Sequence, residues 1–281
     1  MQTGNTGDVG TRTGDETIET VAYLARSEHR VRVLELLARG VRERETLLEE
    51  TGVTRVTLSR VLSGLEERGW IAKSGGEYEL TGFGALVYED LSRLLGTVSL
   101  GETYPDVVER LPTEWFGFDV CRLADGELVA DEHADPLAAT RVVANAVREA
   151  DTVRALVGSF TSLPMYAYAE ATHAGRAGDA TVVFDADASA LVREDAAIAE
   201  QTTGIERRTG SDIYYRTGND YPCNVDLVDG ETVYIGVPRE RGGGFDIIES
   251  TDDAVCEWAR ETFERERADA TPLSDCRPSG P

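Results

Sequence analysis

Between residues 29 and 82 the chain carries start, stop and turn signals so closely spaced that few folds can satisfy them all. A helix is predicted over 29–39, where Val33, Leu36 and Leu37 share one face and Gly40 ends the run. A second is predicted over 42–50, with Leu47 and Leu48 turned inward. In the turn Thr51-Gly52-Val53-Thr54, Gly52 can take a positive φ, and Thr54 can accept the first free amides of a third helix. That helix, over 54–68, repeats Leu58, Leu62 and Leu65 on one buried face and sets Thr54, Arg55, Thr57, Arg60 and Ser63 opposite. After Gly69 the period shortens. Extended pieces at 70–73 and 78–81 flank Ser74-Gly75-Gly76-Glu77, a hairpin signal.

An apolar stripe before this segment (Ile18, Val21, Ala22, Leu24) and an amphipathic helix after it, over 82–98 with Phe83, Leu86, Val87, Leu91, Leu94 and Leu95, complete the unit. Helix, short turn, helix, glycine and two-stranded wing, in that order, predict an α+β winged helix-turn-helix over 17–100, behind a disordered leader at 1–16.

The charge balance tests that reading. The chain holds 52 acidic and 28 basic residues, a net charge of −24, and Lys73 is its only lysine. An acidic excess normally disfavours nucleic acid. Its distribution restores the case: residues 29–82 contain nine basic and nine acidic side chains, so the excess lies elsewhere. An arginine-rich, acidic composition resembles that of proteins from halophilic archaea. In molar salt the Debye length is about 3 Å and self-repulsion is screened almost to contact.

Beyond residue 100 strands and helices alternate, which predicts an α/β domain with a mixed sheet over 101–270 and a flexible tail over 271–281. Strands are expected at 116–123 and 126–131 about Asp125-Gly126, at 153–160, 180–185 and 205–213, and in a hairpin at 224–228 and 232–237 about Asp229-Gly230. Helices are expected at 135–150, with Asp135 as cap and Pro136 in the first turn, and at 164–173 and 188–202. A last helix follows the capping run Ser250-Thr251-Asp252-Asp253 and carries Val255, Trp258, Ala259 and Phe263.

The stretch from Gly52-Val53-Thr54-Arg55-Val56-Thr57-Leu58-Ser59-Arg60-Val61-Leu62 to Leu65-Glu66-Glu67-Arg68-Gly69-Trp70-Ile71 resembles the recognition helix and wing of archaeal ArsR/MarR-like regulators, over about residues 20–98. The remainder resembles, in order and texture, the FilR-type sensor domain of methanogenesis regulatory proteins. The resemblance implies a dimeric transcriptional regulator with an effector domain.

A recognition helix presents its first turns to base edges in the major groove of double-stranded DNA. Thr54 and Thr57 then suit phosphates, Arg55 or Arg60 suits guanine and Val56 suits a thymine methyl, with Ser63 on the same DNA-facing side, while Lys73 in the wing, and Arg42 or Arg44, suit the backbone. The expected partners are double-stranded DNA, a second copy of the chain and a small-molecule effector. The leader has no basic end or apolar run and no segment is long enough to span a bilayer, so the expected location is the cytoplasm and no membrane contact is expected.

Enzyme chemistry finds little support. His29, His133 and His173 fall in no ligand or triad spacing, and no nucleophile elbow or Walker lysine is present. Cys121, Cys223, Cys256 and Cys276 stand far apart, and Asp185 and Asp187 read as capping residues, so no metal or cofactor is expected. Gly242-Gly243-Gly244 reads as a loop. What remains is the aromatic set Phe160, Tyr166, Tyr168, Tyr214, Tyr215 and Tyr221 at strand ends, a candidate ligand pocket. Alternatives are core packing of these residues, a constitutive DNA-binding or protein-interaction module dimerised by the second domain, and an enzyme built on carboxylates.

Overall fold

The computed structural model describes residues 14–130, 135, 137–209, 212–216, 220–240 and 244–273. They form two compact units that part between Leu94 and Leu95. Most of the expected leader lies outside the described residues, and helix already begins at Asp15.

The first unit runs α1 (Asp15–Ala25), α2 (Glu28–Ala38), β1 (Arg42–Glu43), α3 (Arg44–Thr51), α4 (Arg55–Glu66), β2 (Ile71–Ser74), β3 (Glu77–Leu80) and the start of α5 (Gly82–Thr103). Leu58, Val61, Leu62 and Leu65 of α4 are buried with Leu34, Leu47 and Trp70. Each such side chain contributes about 1.5–3 kcal/mol on burial, which fixes the rotation of the helix. Across α4, the ring of Tyr23 lies between the Arg30 and Arg68 guanidinium groups, 3.7 and 3.5 Å from its centroid. Gly64 makes room, since a Cβ there would meet the Tyr23 hydroxyl at 2.0 Å.

The wing is an antiparallel pair with Ile71 opposite Leu80 and Lys73 opposite Tyr78. Residues 42–43, expected in the helix, are instead a third strand, with Arg42 opposite Tyr78. Gly40, at φ 130°, turns the chain onto the wing edge, and α3 starts only at Arg44.

The second unit continues with α6 (Pro105–Val108), a 3₁₀ turn (Val120–Asp125), β4 (Glu127–Ala130), α7 (Ala138–Glu149), β5 (Thr152–Val157), α8 (Ser162–His173), β6 (Asp179–Phe184), α9 (Ala186–Glu194), α10 (Ala196–Thr209) and β7 (Asp212–Tyr215). After these come β8 (Asn224–Val228), β9 (Thr232–Pro238), β10 (Phe245–Ser250), α11 (Asp253–Ala268) and β11 (Thr271–Pro272). Eight strands pair in the order β11-β7-β6-β5-β8-β9-β10-β4. β5, β6 and β7 are parallel because helices carry the chain between them, and the other pairings are antiparallel. Asp229 and Gly230, at φ 52° and 73°, close the β8–β9 hairpin. This is the mixed sheet the sequence predicts.

Pleating sorts the side chains into two layers. Leu156, Val183, Leu227, Ile235 and Ile248 pack with Val255, Trp258, Ala259 and Phe263 of α11. On the opposite face Val153, Ala180, Phe245 and Ile247 meet Val143 and Val147 of α7, Tyr168 of α8 and Ile205 of α10.

Several elements differ from expectation. Residues 116–123 are not a strand: Phe116 and Phe118 stack at 4.9 Å and approach Trp258 at 5.3 and 5.1 Å, then the chain enters the 3₁₀ turn. Their alternation imitates a strand because both rings grip one indole. Asp125-Gly126 closes no hairpin; β4 pairs β10, and a Cβ on Gly126 would meet the Glu249 carbonyl oxygen at 2.7 Å.

The helix expected from 135 starts at Ala138, with the Leu137 amide donating to Asp135 at 3.3 Å. The helix expected over 188–202 is two, because the Asp195 carboxylate caps a fresh start through the Ala197 and Ile198 amides. The strand expected over 205–213 is helix as far as Thr209. β10 was not expected, and Thr271–Pro272 pairs with β7 where a tail was expected. His133, Cys276, Gly242 and Gly243 lie outside the described residues.

One buried ion cluster ties residues far apart in the sequence. Asp246, 5% exposed, is bonded by Arg110 and by Nε of Arg239 at 3.0 Å, while Arg110 also donates to the Pro238 carbonyl at 2.8 Å. Burial opposes ionisation, yet the two guanidinium groups prevail and hold the Asp246 carboxyl below its ordinary value. Arg110→Ala is therefore expected to cost ~2 kcal/mol at neutral pH. A depressed pKa gives stability that is present at neutral pH and lost on acidification, so acid unfolding of the variant should begin at higher pH. Urea titrations at two pH values, followed by circular dichroism, measure both effects.

Candidate nucleic-acid interface and ligand cavity

In the first unit the turn before α4 forms as its residues dictate. Gly52 sits at φ 65°, and the Thr54 hydroxyl accepts from the Thr57 amide at 3.2 Å and meets the Thr57 hydroxyl at 2.9 Å. From this cap one face of α4 turns outward, bearing Arg55, Val56, Arg60 and Ser63, with Thr57 half-buried beside them. Val56 is 62% exposed, and among the described residues neither Arg55 nor Arg60 has a side-chain partner. Lys73 stands exposed on the wing, its ammonium 5.4 Å from the Tyr78 ring.

Arg42 and Arg44 both have contacts within the unit. Arg44 bonds the Ser59 hydroxyl and approaches the Arg55 carbonyl at 3.3 Å, so it braces α4. Arg42 lies 3.9 Å from Glu50 and donates to the Val41 carbonyl at 3.0 Å.

In the second unit a cavity lies between the sheet and α7, α8 and α10, with about 920 Å³ of empty space when its open mouth is included. Its walls are mostly apolar: Val153, Ala155 and Val157 of β5, Val182 and Phe184 of β6, Val143 and Val147 of α7, and Phe160, Met165 and Tyr168. Three of its polar groups are satisfied internally. Asn224 accepts from the Gly158 and Ser159 amides and donates to the Ser159 carbonyl, the Tyr168 hydroxyl donates to the Gly178 carbonyl at 2.6 Å, and Thr202 donates to Ile198 at 2.7 Å.

Asp226 differs in charge. It stands on β8 between Ala155 of β5 and Tyr234 of β9 and is the only charged residue in the lining among the described residues. Its carboxylate has no hydrogen bond or ion pair among the described residues. Burial alone pushes its pKa up to about 7.

The aromatic set divides between surfaces. Phe160 and Tyr168 line the cavity. Tyr166 is 46% exposed beside His173, Arg207 and Arg208. Tyr214 and Tyr221 belong to the α11 face, where Arg267 covers the Tyr214 ring at 3.5 Å and the Tyr221 hydroxyl meets Glu266 at 3.4 Å. Tyr215 packs against a smaller cluster with Phe184 and Ile213. Consecutive strand residues point to opposite faces, so one site cannot collect Tyr214 and Tyr215 together. Asp185 caps α9 as its sequence context predicts, accepting from the Ala188 amide at 2.8 Å. Among the described residues no group of three or more His, Cys, Asp or Glu is placed to hold a metal ion, and no helix is long and apolar enough to cross a membrane.

The coordinates thus define a winged helix-turn-helix unit followed by an α/β unit with a mixed sheet. Residues 18–103 match the family model of the HVO_A0261 N-terminal domain, and residues 136–269 match that of the middle domain of methanogenesis regulatory protein FilR1.

Among solved structures, TrmBL2, an archaeal chromatin protein described as having a novel mode of DNA binding, is 12% identical with a TM-score of 0.40, covering 92% of this chain and 98% of its own. The phospholipase D family member Nuc from Salmonella typhimurium is 18% identical at a TM-score of 0.40, over 53% of this chain and 98% of its own. The dimethyltransferase RosA from Streptomyces davawensis is 17% identical at 0.25, over 73% and 64%. These likenesses are too distant to bear on activity. No curated protein sequence gave a significant match.

Proposed function

We propose that the chain is a homodimeric, DNA-binding transcriptional regulator of the ArsR/MarR-like type, not an enzyme, whose second domain receives a small-molecule effector. The observation that carries this reading is the outward face of α4, where Arg55, Val56, Arg60 and Ser63 project from a helix locked on its other side by Leu58, Leu62 and Leu65. A major groove takes such a face. Arginine pairs with guanine O6 and N7, the exposed valine suits a thymine methyl, and the helix N-terminus with its two threonines suits a phosphate.

The match to the FilR1 middle domain supports a regulatory role, and the cavity supports an effector. Phe83 and Leu86 on α5 and Ile18 and Val21 on α1 are all more than half exposed, which supports a partner copy. The acidic balance of the whole chain, at −24, suits a cytoplasm of high salt, where counterion release gives little drive and base contacts carry recognition.

Arg60→Ala is expected to weaken binding to a specific operator by ~1–3 kcal/mol, the value of a bidentate base contact. Genome-wide mapping of bound sites supplies the operator, and a gel-shift titration of wild type and variant measures the loss. Equal affinities would remove Arg60 from the interface.

A further inference from the structure

The cavity of the second unit contains one chemical contradiction. Its walls disfavour water-loving ligands, yet Asp226 sets a carboxylate into it with no hydrogen bond or ion pair among the described residues. Asp226 is half-buried in the cavity wall, and a carboxylate in so apolar a lining favours a partner of opposite charge that enters from outside the chain. The other polar groups around it differ in kind: Asn224, Tyr168 and Thr202 are tied to backbone.

We propose that this cavity, on the effector-binding reading above, takes a mostly apolar molecule carrying a single protonated amine, whose ammonium pairs with Asp226 while its hydrocarbon part lies against the valine and phenylalanine walls.

Charge decides between ligand classes. An apolar carboxylate would bring a negative charge into a low-polarity site with no cation in its lining among the described residues. A neutral alcohol can bond Asp226 but gains no ion pair. An ammonium supplies the opposite charge and donors together, where low polarity strengthens both. Around Asp226, Tyr234 stands on β9 with Glu249 beyond it on β10. β5, α7, α8 and α10 add Ala155, Thr140, Tyr168 and Thr202, none charged at neutral pH. Tyr234 is itself pushed up by burial and by the negative charges of Glu249 and Asp226, so it stays neutral.

The binding step releases a proton. Near and below pH 7 the free site holds Asp226 as the acid; the arriving ammonium keeps its own proton, the carboxyl ionises against it, and one proton passes to solvent. Ligand binding is therefore coupled to proton release in a way that apolar packing cannot imitate.

The test is titration calorimetry of the full chain with phenethylamine and with hexylamine, using 2-phenylethanol and 3-phenylpropanoate as controls. It is run in buffers of different ionisation enthalpy at pH 6 and pH 9. Both amines are expected to bind at least tenfold more tightly than either control, with close to one proton released at pH 6 and close to none at pH 9. Asp226→Asn should weaken amine binding at least tenfold and abolish proton release, while changing any 2-phenylethanol binding far less.

The proposal is overturned if neither amine gives heat, if a control binds as tightly, or if amine binding proceeds without proton release at pH 6. Unchanged amine binding to the Asn variant, confirmed folded by circular dichroism, also overturns it. The wild-type proton count stands by itself if that variant misfolds. Because no DNA is present, the regulatory reading fails separately: amines that bind as described yet leave operator affinity unchanged would remove the sensing role and keep the site.

Discussion

Asp226→Asn is expected to stabilise the second unit at pH 8 by up to ~4 kcal/mol and to remove most of its pH dependence between pH 4 and pH 7. The wild-type carboxyl titrates at about 7 in the folded chain and at its ordinary 3.8 when unfolded. Between those values the folded state holds the proton that the unfolded state has released, so stability is fully present below the lower value. It is lost as pH rises through the upper one, at ~1.4 kcal/mol per pH unit.

An asparagine has nearly the same shape and cannot ionise, so the contribution of this position should be level across the same window. Hydrogen exchange at β5 and β8 amides, compared between wild type and variant from pH 4 to pH 8, reads the difference within this unit alone. Parallel curves would mean that Asp226 titrates as an ordinary surface carboxyl.

The same residue shows why the ligand site was hard to read from sequence. In Asn224-Val225-Asp226-Leu227-Val228 the alternation is legible, and a polar residue between apolar ones ordinarily faces water. Here the sheet is covered on both faces, so the polar side of β8 points at α7, α8 and α10. Nothing local to β8 encodes that second layer. Tyr214 and Tyr215 are placed by the same kind of distant information, since their position in the sheet depends on pairings with strands distant in sequence.

The first unit was legible because its signals are local. Gly52, Gly69, Gly75 and Gly76 all adopt positive φ, at 65°, 68°, 61° and 102°, where the turn and wing require it. Leu58, Leu62 and Leu65 are spaced within one helix, so the outward face bearing Arg55 and Arg60 follows from helical period alone. The intramolecular engagement of Arg44 was not legible, because Ser59 reaches it only through the packing of α3 against α4. At 116–123 and 205–213 local pattern misled, since aromatic alternation and β-branched content describe a side chain's company as well as its backbone.

Gly84→Ala should be the most damaging small substitution in the first unit, with an expected loss of ~3 kcal/mol or more. A methyl built on Gly84 would stand 1.8 Å from the carbonyl oxygen of Trp70 and 2.6 Å from its carbonyl carbon. Those are backbone atoms, so no rotamer change relieves the clash. The same junction holds the wing to α5: the Thr81 amide donates to the Trp70 carbonyl at 3.0 Å, and the Thr81 hydroxyl accepts from the Gly84 amide at 2.9 Å. Moving α5 away breaks the start of that helix and pulls on Trp70, which is 2% exposed at the centre of the core beneath α4.

Gly101, later on α5, has nothing within 4 Å of its Cβ position, so alanine there should gain ~1 kcal/mol from helix propensity. Opposite signs from one substitution on one helix separate steric contact from propensity. Hydrogen exchange resolved by peptide should show protection lost across α4, β2 and β3 in the Gly84 variant and kept across β5 to β10. Protection kept in α4 would mean that the wing and helix can part without loosening the face that we assign to DNA.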